Sequence, residues 1–349
     1  MTTTWTFNRR SLLQGAAVAL SLTVATGLLP AEANADELPL AVPAGTKLVV
    51  TDDANRFETL FTLSGERDKL ASEVTFVNFS SGPIGLEAIR AGEVHVGEVA
   101  DVPPILAHYS GADVLIVAAV RRDGSGLSIG TAPNSNIKSL ADLKGKRVAF
   151  GEATAAQATV IRNLQSVGLT LADIEPVILA PSYYSDALIS GEVDAAPLKQ
   201  PAGARYLARA GKDGAISIPS AAGAYTGLHY LYASKAALAD PALSAAIRDY
   251  VVHWYRAERW RNENQNVWLS EYLVKGQGIP AEDADAILKA DGNASTPGFT
   301  DEILGIQQAT IDLLQKAGSF ADKELKAKDE FDFRFAKLSA DDQTARDTN

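Results

Sequence analysis

Residues 91–97 read AGEVHVG, and residues 190–196 read SGEVDAA. Earlier in the chain, KLVVTDD at 47–53 has a counterpart in RVAFGEA at 147–153, and each is a short apolar strand that runs into a polar loop. The two pairs follow one another in the same order and at nearly the same offset. Self-similarity at a fixed offset indicates a duplicated structural unit, so the chain is expected to fold as two similar halves.

A third pair of segments extends this repeat. VTFVNFSS at 74–81 is matched by IEPVILAPS at 174–182. Apolar residues at helical spacing, such as Leu60 and Leu164, lie between the predicted strands. Alternating strands and helices predict parallel pairing with right-handed crossovers, which makes each half a Rossmann-like α/β lobe. Open α/β sheets bind ligands at the carboxyl ends of their strands, so the loops of the two lobes are expected to face each other across one ligand cleft.

The chain is expected to cross between the two lobes twice. Residues 126–229 form the second lobe, whereas residues 36–125 and 230–349 form a discontinuous first lobe that includes the C-terminal helices. The aromatic strand at 227–233 is predicted to pair with the strand at 126–130, which would make a two-strand hinge. Glycines near both strands supply the backbone freedom that a hinge needs.

The N-terminal segment, residues 1–35, is predicted to be an export signal. Arg9 and Arg10 precede an apolar stretch at 12–29, and the small-residue pattern Ala-Asn-Ala follows at 33–35. The arginine pair resembles a twin-arginine signal. The mature protein is therefore expected in the periplasm or outside the cell. Because the sequence contains no cysteine, a lipid anchor on an N-terminal cysteine is excluded.

The composition disfavours several classes of protein. Asp and Glu number 43 against 32 Lys and Arg, and the formal net charge of -11 disfavours nucleic-acid binding. The absence of cysteine excludes disulfides, thiolate metal sites and a thiol nucleophile. The four histidines lack metal-ligand spacing and no dinucleotide or phosphate-loop motif is present, so neither a metal nor a cofactor is expected. No catalytic constellation can be assembled, which favours a protein that is not an enzyme, with a cofactor-free enzyme on the same two-lobed fold as the alternative.

Several segments resemble a known family. NIKSLADLKGKRVA at 136–149 resembles the segment that opens the second lobe of periplasmic binding proteins, and residues 88–97 and 167–170 resemble the branch for aliphatic sulfonates, taurine and nitrate. The resemblance covers residues 46–270 and implies a type II periplasmic binding protein fold. It also implies the function of a solute-binding subunit of an ABC importer. Such a protein is expected to be a monomer that closes around its ligand and delivers it to a membrane permease with its ATPase, with only transient membrane contact there.

The second lobe is expected to supply an anion site. Thr154, Ala155 and Gln157 begin a predicted helix, whose N-terminus offers unpaired backbone N–H groups and a partial positive charge. Lys199 follows the last repeated strand, where it could pair with an anionic group. Tyr183, in the loop after the preceding strand, could pack on the body of a ligand.

The first lobe is expected to face this site with polar loops. Glu98 and Asp101 would repel an anion, and could instead accept a hydrogen bond from a ligand amine or hydroxyl. The candidate ligand-binding residues in the first lobe and the hinge are Asn55, Arg56, Ser80, Ser81, Gly82, Asp101, Ser125 and Tyr225.

The predicted ligand is a small organic anion of the sulfonate type. Alkyl and aryl sulfonates, sulfinates and taurine all fit this description. Nitrate or bicarbonate, and a neutral heterocycle such as a thiamine precursor, are the alternatives, because a sequence does not give the volume of a pocket.

Overall fold

Two β-sheets organise the protein, as the sequence repeat predicts. The computed structural model describes residues 37–79, 82–320 and 323–342, so the predicted export signal lies outside the described residues. The first sheet contains β1 (Lys47–Asp52), β2 (Glu73–Asn78), β3 (Val96–Ala100), β4 (Val114–Arg122), β10 (Leu228–Ser234) and β11 (Ala294–Ser295). The second sheet contains β5 (Leu127–Thr131), β6 (Arg147–Phe150), β7 (Glu175–Ile178), β8 (Ala195–Lys199) and β9 (Ser217–Pro219).

The two sheets repeat one topology. Their strand orders are β11-β4-β10-β3-β1-β2 and β7-β6-β8-β5-β9. In the first sheet β1 pairs in parallel with β2 and β3, and β10 then pairs antiparallel with β3 and β4. In the second sheet β6 pairs in parallel with β7 and β8, and β5 then pairs antiparallel with β8 and β9. The duplicated α/β architecture predicted from the sequence is therefore confirmed, and β10 is the counterpart of β5.

The predicted pairing of the two hinge strands is wrong. β5 pairs with β8 and β9, whereas β10 pairs with β3 and β4, so each strand belongs to its own sheet. The physical reason is that each strand finds an unfilled antiparallel position beside the third repeated strand of the lobe that it enters. The lobes are instead joined by two irregular crossings, at residues 123–126 and 220–227.

Two glycines allow these crossings to approach closely. Gly227 has φ +71°, and a Cβ there would lie 2.0 Å from the carbonyl oxygen of Arg122. Gly126 has φ +57°, and its Cβ would lie 2.1 Å from the ring of Tyr225. Both positions therefore require glycine for its backbone conformation and for its lack of a side chain.

The helices cover the sheets and follow the signals in the sequence. Asp240 caps α8 (Pro241–Glu263) by accepting hydrogen bonds from the N–H groups of Ala242 and Leu243, and Pro241 is the first residue of the helix. None of the described helices has both the length and the apolar character needed to cross a membrane. The helices are α1 (Arg56–Ser64), α2 (Gly82–Arg90), α3 (Val102–Tyr109), α4 (Ala155–Ser166), α5 (Tyr184–Ser190), α6 (Ala202–Ala210), α7 (Lys235–Ala239), α8 (Pro241–Glu263), α9 (Gln265–Trp268), α10 (Ala281–Asp291) and α11 (Asp301–Lys316), with a π-helix at Leu269–Gly276.

The C-terminal helices contact both lobes. α8 packs on the first sheet, with Ile247, Val251 and Trp254 in its core. α11 instead contributes to an apolar cluster that also contains residues of α3 from the first lobe and α4 from the second. The cluster contains Val102, Ile105, Ala158, Ile161, Ile311 and Leu314. The lobes are thus held together by side-chain packing as well as by the crossings.

A buried histidine on α8 predicts a pH-dependent contribution to stability. The Nδ1 atom of His253 lies 2.6 Å from Oε2 of Glu66, and its Nε2 atom lies 3.6 Å from Oδ1 of Asp249. Burial opposes protonation of His253, but the neighbouring carboxylates of Asp249 and Glu66 outweigh it and raise the pKa. A raised pKa means that the stabilisation is present below the unfolded value of about 6.5 and is lost as the pH rises through the folded value.

We expect the unfolding free energy to decrease as the pH is raised above about 6.5, and a His253→Gln variant to lack this part of the decrease. Chemical unfolding at a series of pH values measures both proteins. The same pH dependence in the variant would contradict the assignment.

Candidate functional site

A cleft opens at the carboxyl ends of the strands and divides into three adjoining cavities. The central cavity, of about 210 Å³, is lined from the first lobe by Thr51, Asp52, Phe79, Glu98 and His229, and from the second by Thr154, Ala155, Pro181 and Lys199. The hinge cavity, also of about 210 Å³, is lined by Leu127, Ala155, Tyr184, Pro197, Lys199, Tyr225 and His229. The outer cavity, of about 260 Å³, is lined by Arg56, Lys199, Arg205, Trp268, Tyr272 and Asp291. The predicted position of the cleft therefore agrees with the structure.

The second lobe presents a helix N-terminus to the central cavity. Thr154 caps α4: its hydroxyl donates to the carbonyl of Gly151 at 2.7 Å and accepts from the N–H of Gln157 at 3.4 Å. The first helical i→i−4 hydrogen bond has the N–H of Ala158 as its donor, so the N–H groups of Ala155 and Ala156 precede the hydrogen-bond ladder of the helix. Ala155 is half-buried and lines both the central and the hinge cavity. This first turn therefore offers backbone donors and a partial positive charge to a ligand.

Lys199 adds a formal positive charge beside this helix. It is the last residue of β8, whose preceding residues are buried, and its own side chain is exposed. It is also the residue common to the three cavities. The side chain of Lys199 makes no ion pair or hydrogen bond with any described residue, so its ammonium group is available to an anion in the cleft.

On the opposite wall, the first lobe presents a hydrogen-bonded chain of three side chains. Nδ1 of His229 lies 2.6 Å from Oε1 of Glu98, and Nε2 of His229 lies 2.9 Å from the hydroxyl of Tyr225. Glu98 and His229 come from the paired strands β3 and β10, and Tyr225 comes from the second crossing. We call these three side chains the polar relay.

The pKa shifts of the three side chains indicate which atoms of the polar relay carry protons. Burial opposes ionisation of Glu98, but His229, Lys199 and Arg56 outweigh it and lower the pKa to about 2. Burial lowers the pKa of His229 despite the neighbouring Glu98, and burial raises the pKa of Tyr225. At neutral pH, Glu98 is therefore a carboxylate that accepts Nδ1–H of a neutral His229, and Nε2 accepts the O–H of Tyr225.

Asp52 is a second carboxylate on this wall, but its oxygens are already used. Its carboxylate accepts the N–H groups of Asp53, Phe57 and Glu58 at 2.7 to 3.0 Å and so holds the start of α1. Burial, the largest influence, raises the pKa of Asp52 against these hydrogen bonds. Asp52 therefore shapes the cavity, whereas Oε2 of Glu98 accepts no hydrogen bond from any described residue.

The structure brings some of the predicted site residues together in the cleft. Thr154, Ala155, Lys199 and Tyr225 line the central or the hinge cavity. Arg56 lines the outer cavity, where its Nη2 lies 3.4 Å from Oδ2 of Asp291.

Other predicted residues lie elsewhere. Asp101 is buried, accepts the hydroxyl of Thr226 at 2.9 Å and lies 3.8 Å from Arg162. Gln157 uses its amide to bind the N–H of Ala153 and the hydroxyl of Ser319.

The remaining predicted residues also lie away from the three cavities or outside the described part. Ser125 lines a separate groove beside the crossings, and Tyr183 is 63% exposed at the surface. Asn55, in the left-handed conformation, exchanges hydrogen bonds with Asn78. Ser80 and Ser81 lie outside the described residues, and Gly82 begins α2.

Sequence reasoning missed His229 as a site residue. It lies in the strand LHYLYAS, whose pattern is that of a buried core strand. One feature of the sequence could have revealed it: His229 is a polar residue in an otherwise apolar strand, directly after the second crossing between the lobes. Among the described residues no group of His, Asp and Glu is arranged to hold a metal ion.

Comparisons with known proteins agree with this geometry. A family model described as the phosphonate periplasmic substrate-binding protein of ABC transporters matches residues 67–272. An Escherichia coli (strain K12) protein, whose name assigns it to aliphatic sulfonate binding, is 28% identical over 301 residues, which is 85% of this chain and 89% of that protein. The alkanesulfonate-binding protein of Xanthomonas axonopodis pv. citri, solved bound to MOPS, is 26% identical with a TM-score of 0.71, covering 82% of this chain and 98% of that one. A desulfurization enzyme shares the fold alone, at 14% identity and a TM-score of 0.60, covering 83% of this chain and 97% of its own.

Proposed function

This chain belongs to the periplasmic substrate-binding proteins of ABC transporters, and from that membership we propose that it captures a sulfonate-type organic anion between its two lobes. The bound anion is then delivered to a membrane permease that works with an ATPase. This role requires export of the mature protein across the inner membrane, which fits the signal predicted at residues 1–35.

The observation that carries the proposal is the position of Lys199. Its ammonium group lies where three cavities meet, beside the first turn of α4, and no described residue pairs with it. A cation next to a helix N-terminus favours the binding of an anionic head group, because charge-assisted hydrogen bonds add to the attraction of the helix dipole.

A sulfonate fits the charges of the cleft better than a phosphonate does. A sulfonate carries one negative charge at all physiological pH values, whereas a phosphonate, like a phosphate ester, approaches two near neutral pH. Lys199 faces Glu98 across the central cavity, so a second negative charge would be placed near a carboxylate. The names of the relatives from E. coli and X. axonopodis point in the same direction.

The capture step is a closure of the two lobes. Nη2 of Arg205, on α6 of the second lobe, donates to the carbonyl of Gln277, on the first lobe, at 2.7 Å. The amide of Gln277 in turn donates to the carbonyl of Ala54. A ligand that contacts both walls of the cleft favours the conformation in which such contacts form, and so shifts the equilibrium between open and closed lobes.

A second candidate is a cofactor-free enzyme. One observation favours it: His229 is placed between an ionised carboxylate and a phenol, an arrangement that can move a proton. Mass spectrometry of sulfonates recovered after long incubation decides between the two functions. Recovery of unchanged ligand supports capture, and a product that requires His229 supports catalysis.

We expect the Lys199→Met variant to bind aliphatic sulfonates about 10- to 100-fold more weakly, because the contribution of one charge-assisted hydrogen bond is lost. Methionine keeps the length and the apolar stem of lysine. Isothermal titration with butanesulfonate and with methylphosphonate measures the change and also tests the preference for a sulfonate.

The matched control is Lys212→Met, which removes an exposed lysine of the same lobe outside the three cavities. Its affinity should equal that of the wild type. Equal affinity in Lys199→Met and Lys212→Met, with both proteins folded, would remove Lys199 from the site.

A further inference from the structure

The wall of the outer cavity carries more positive than negative side chains. Three cations and two carboxylates line it, and both lobes contribute cations. The first turn of α4 lines the central and hinge cavities instead, so the outer cavity is positive without the help of that helix. The charged residues of the wall are Arg56, Lys199, Arg205, Asp53 and Asp291.

Behind this wall, one carboxylate oxygen is shared by three guanidinium groups. Oδ2 of Asp291 lies 2.7 Å from Nη1 of Arg261. Nη2 of Arg56 and Nη1 of Arg122 lie farther from the same oxygen, at 3.4 and 3.7 Å. Only the first distance is that of a hydrogen bond of full strength. Glu258 completes this group of five side chains, which we call the arginine cluster and which contains three cations and two carboxylates.

Arg56 is the member of the arginine cluster that lines the cavity with a donor to spare. Its Nε atom is buried and makes no hydrogen bond with any described residue. Burial lowers the pKa of Arg56, but Asp291 and Glu258 outweigh it and raise the pKa, so the group stays charged. Glu98 also attracts Arg56, although more weakly, and it is hydrogen-bonded to His229. Arg56 can therefore donate to a further anion and keep its contact with Asp291.

The other surroundings of Arg56 favour an anion that is weakly hydrated. The rings of Trp268 and Tyr272 stack with their centroids 4.3 Å apart, and both line the cavity with Leu273 and Ile287. An apolar wall does not replace the water that a strongly hydrated anion gives up. The guanidinium group is itself weakly hydrated and pairs readily with anions of the same kind. The excess of one positive charge on the wall suits a single negative charge.

We infer that the outer cavity is a second anion site, which binds chloride or bromide between Arg56 and Arg205. The site is separate from the sulfonate site proposed at Lys199 and the first turn of α4, and it does not depend on that proposal. Arg56 belongs to the first lobe and Arg205 to the second, so the bound halide links the two lobes. It also supplies negative charge to the arginine cluster, which stabilises the folded protein.

The test compares the melting temperature of the ligand-free protein in sodium fluoride, chloride and bromide at equal concentration. Salts that act only by exclusion from the protein surface stabilise more when their anion is strongly hydrated, so fluoride would rank first. Binding at the outer cavity reverses this order. We expect chloride and bromide, at about 200 mM, to raise the melting temperature by roughly 2–4 °C relative to fluoride.

Four variants locate the site. Arg56→Gln and Arg205→Gln should each lose most of the difference between bromide and fluoride. Lys199→Met, which removes the cation of the sulfonate site, should keep at least about half of it. The matched control is Arg209→Gln, because Arg209 lies on the same helix as Arg205 but outside the three cavities, where it is exposed and paired with Asp186. This control should behave like the wild type.

Anomalous diffraction from crystals grown in bromide gives the position directly, with a peak expected beside Arg56 and Arg205. Greatest stabilisation by fluoride in the wild type, or a bromide peak only beside Lys199 and α4, would overturn the inference. So would a halide effect that is lost in Lys199→Met and kept in Arg205→Gln, which is exposed and decides the question if Arg56→Gln fails to fold. Failure of sulfonates to bind, with the halide effect intact, would contradict the proposed function and support the second site alone.

Discussion

The Ala155→Asp variant should lose ligand capture without unfolding. Ala155 is the first residue of α4, and it lines the central and hinge cavities. A carboxylate is compatible with the helix at this position, because negative side chains are stabilising in the first turn. The same carboxylate would occupy the place of a bound sulfonate, and the contact of like charges costs several kcal/mol. We expect sulfonate affinity to fall by about 100-fold or more, measured by isothermal titration.

The control for this substitution is Ala281→Asp. Ala281 is also the first residue of a helix, α10, and its side chain is exposed outside the three cavities. The control adds the same charge at the same helical position, so its affinity should equal that of the wild type. The melting temperatures of both variants without ligand should stay close to the wild-type value. Wild-type affinity in a folded Ala155→Asp protein would show that the anion binds elsewhere in the cleft.

The lobe architecture and the second-lobe wall were predictable because they depend on local patterns. The apolar runs of β1 and β6 and the cap at Thr154 are each contained within a few residues. Once two strands of a lobe are known, the position of their carboxyl ends follows from parallel pairing. Lys199 could be placed for this reason, since it ends a repeated strand.

The pairing of β5 and β10 could not be predicted in the same way. Both strands follow a crossing, both have buried faces, and each can pair antiparallel with several partners. The strand with which each of them pairs depends on the packing of the whole lobe rather than on the sequence of the strand itself. His229 was missed as a consequence, because it reaches Glu98 only when β10 lies beside β3.

Asp101 and Gln157 are the opposite case: both were predicted to bind the ligand, and both lie outside the three cavities. Each has the residue type and the position of a ligand-binding group at the start of a helix. In the structure each hydrogen-bonds to half-buried partners of the fold instead: Thr226 for Asp101, and Ala153 with Ser319 for Gln157. Thr226 and Ser319 come from distant parts of the chain, and a sequence pattern does not show them.

The Glu258→Gln variant should be strongly destabilised. Glu258 on α8 is fully buried; its Oε1 lies 2.7 Å from Nη2 of Arg122, and its Oε2 lies 3.3 Å from Nε of Arg261. Burial opposes ionisation, but Arg122, Arg261 and Arg56 outweigh it and lower the pKa of Glu258, so the group is a carboxylate. Asp291 is the second carboxylate of the cluster and contacts the same three arginines.

The cluster thus contains three guanidinium groups and two carboxylates. It lies next to the first crossing, because Arg122 is the last residue of β4. Glutamine keeps the shape of Glu258 and removes its charge, which leaves the three cations with Asp291 alone. Breaking a buried ion pair from one side costs about 3–5 kcal/mol, since the remaining charge is desolvated without compensation. We expect a loss of this size in the unfolding free energy, measured by chemical unfolding. Glu263→Gln, an exposed residue on the same helix, should change it by less than about 0.5 kcal/mol. Similar losses in the two variants would contradict the importance of the cluster for joining the crossing to the first lobe.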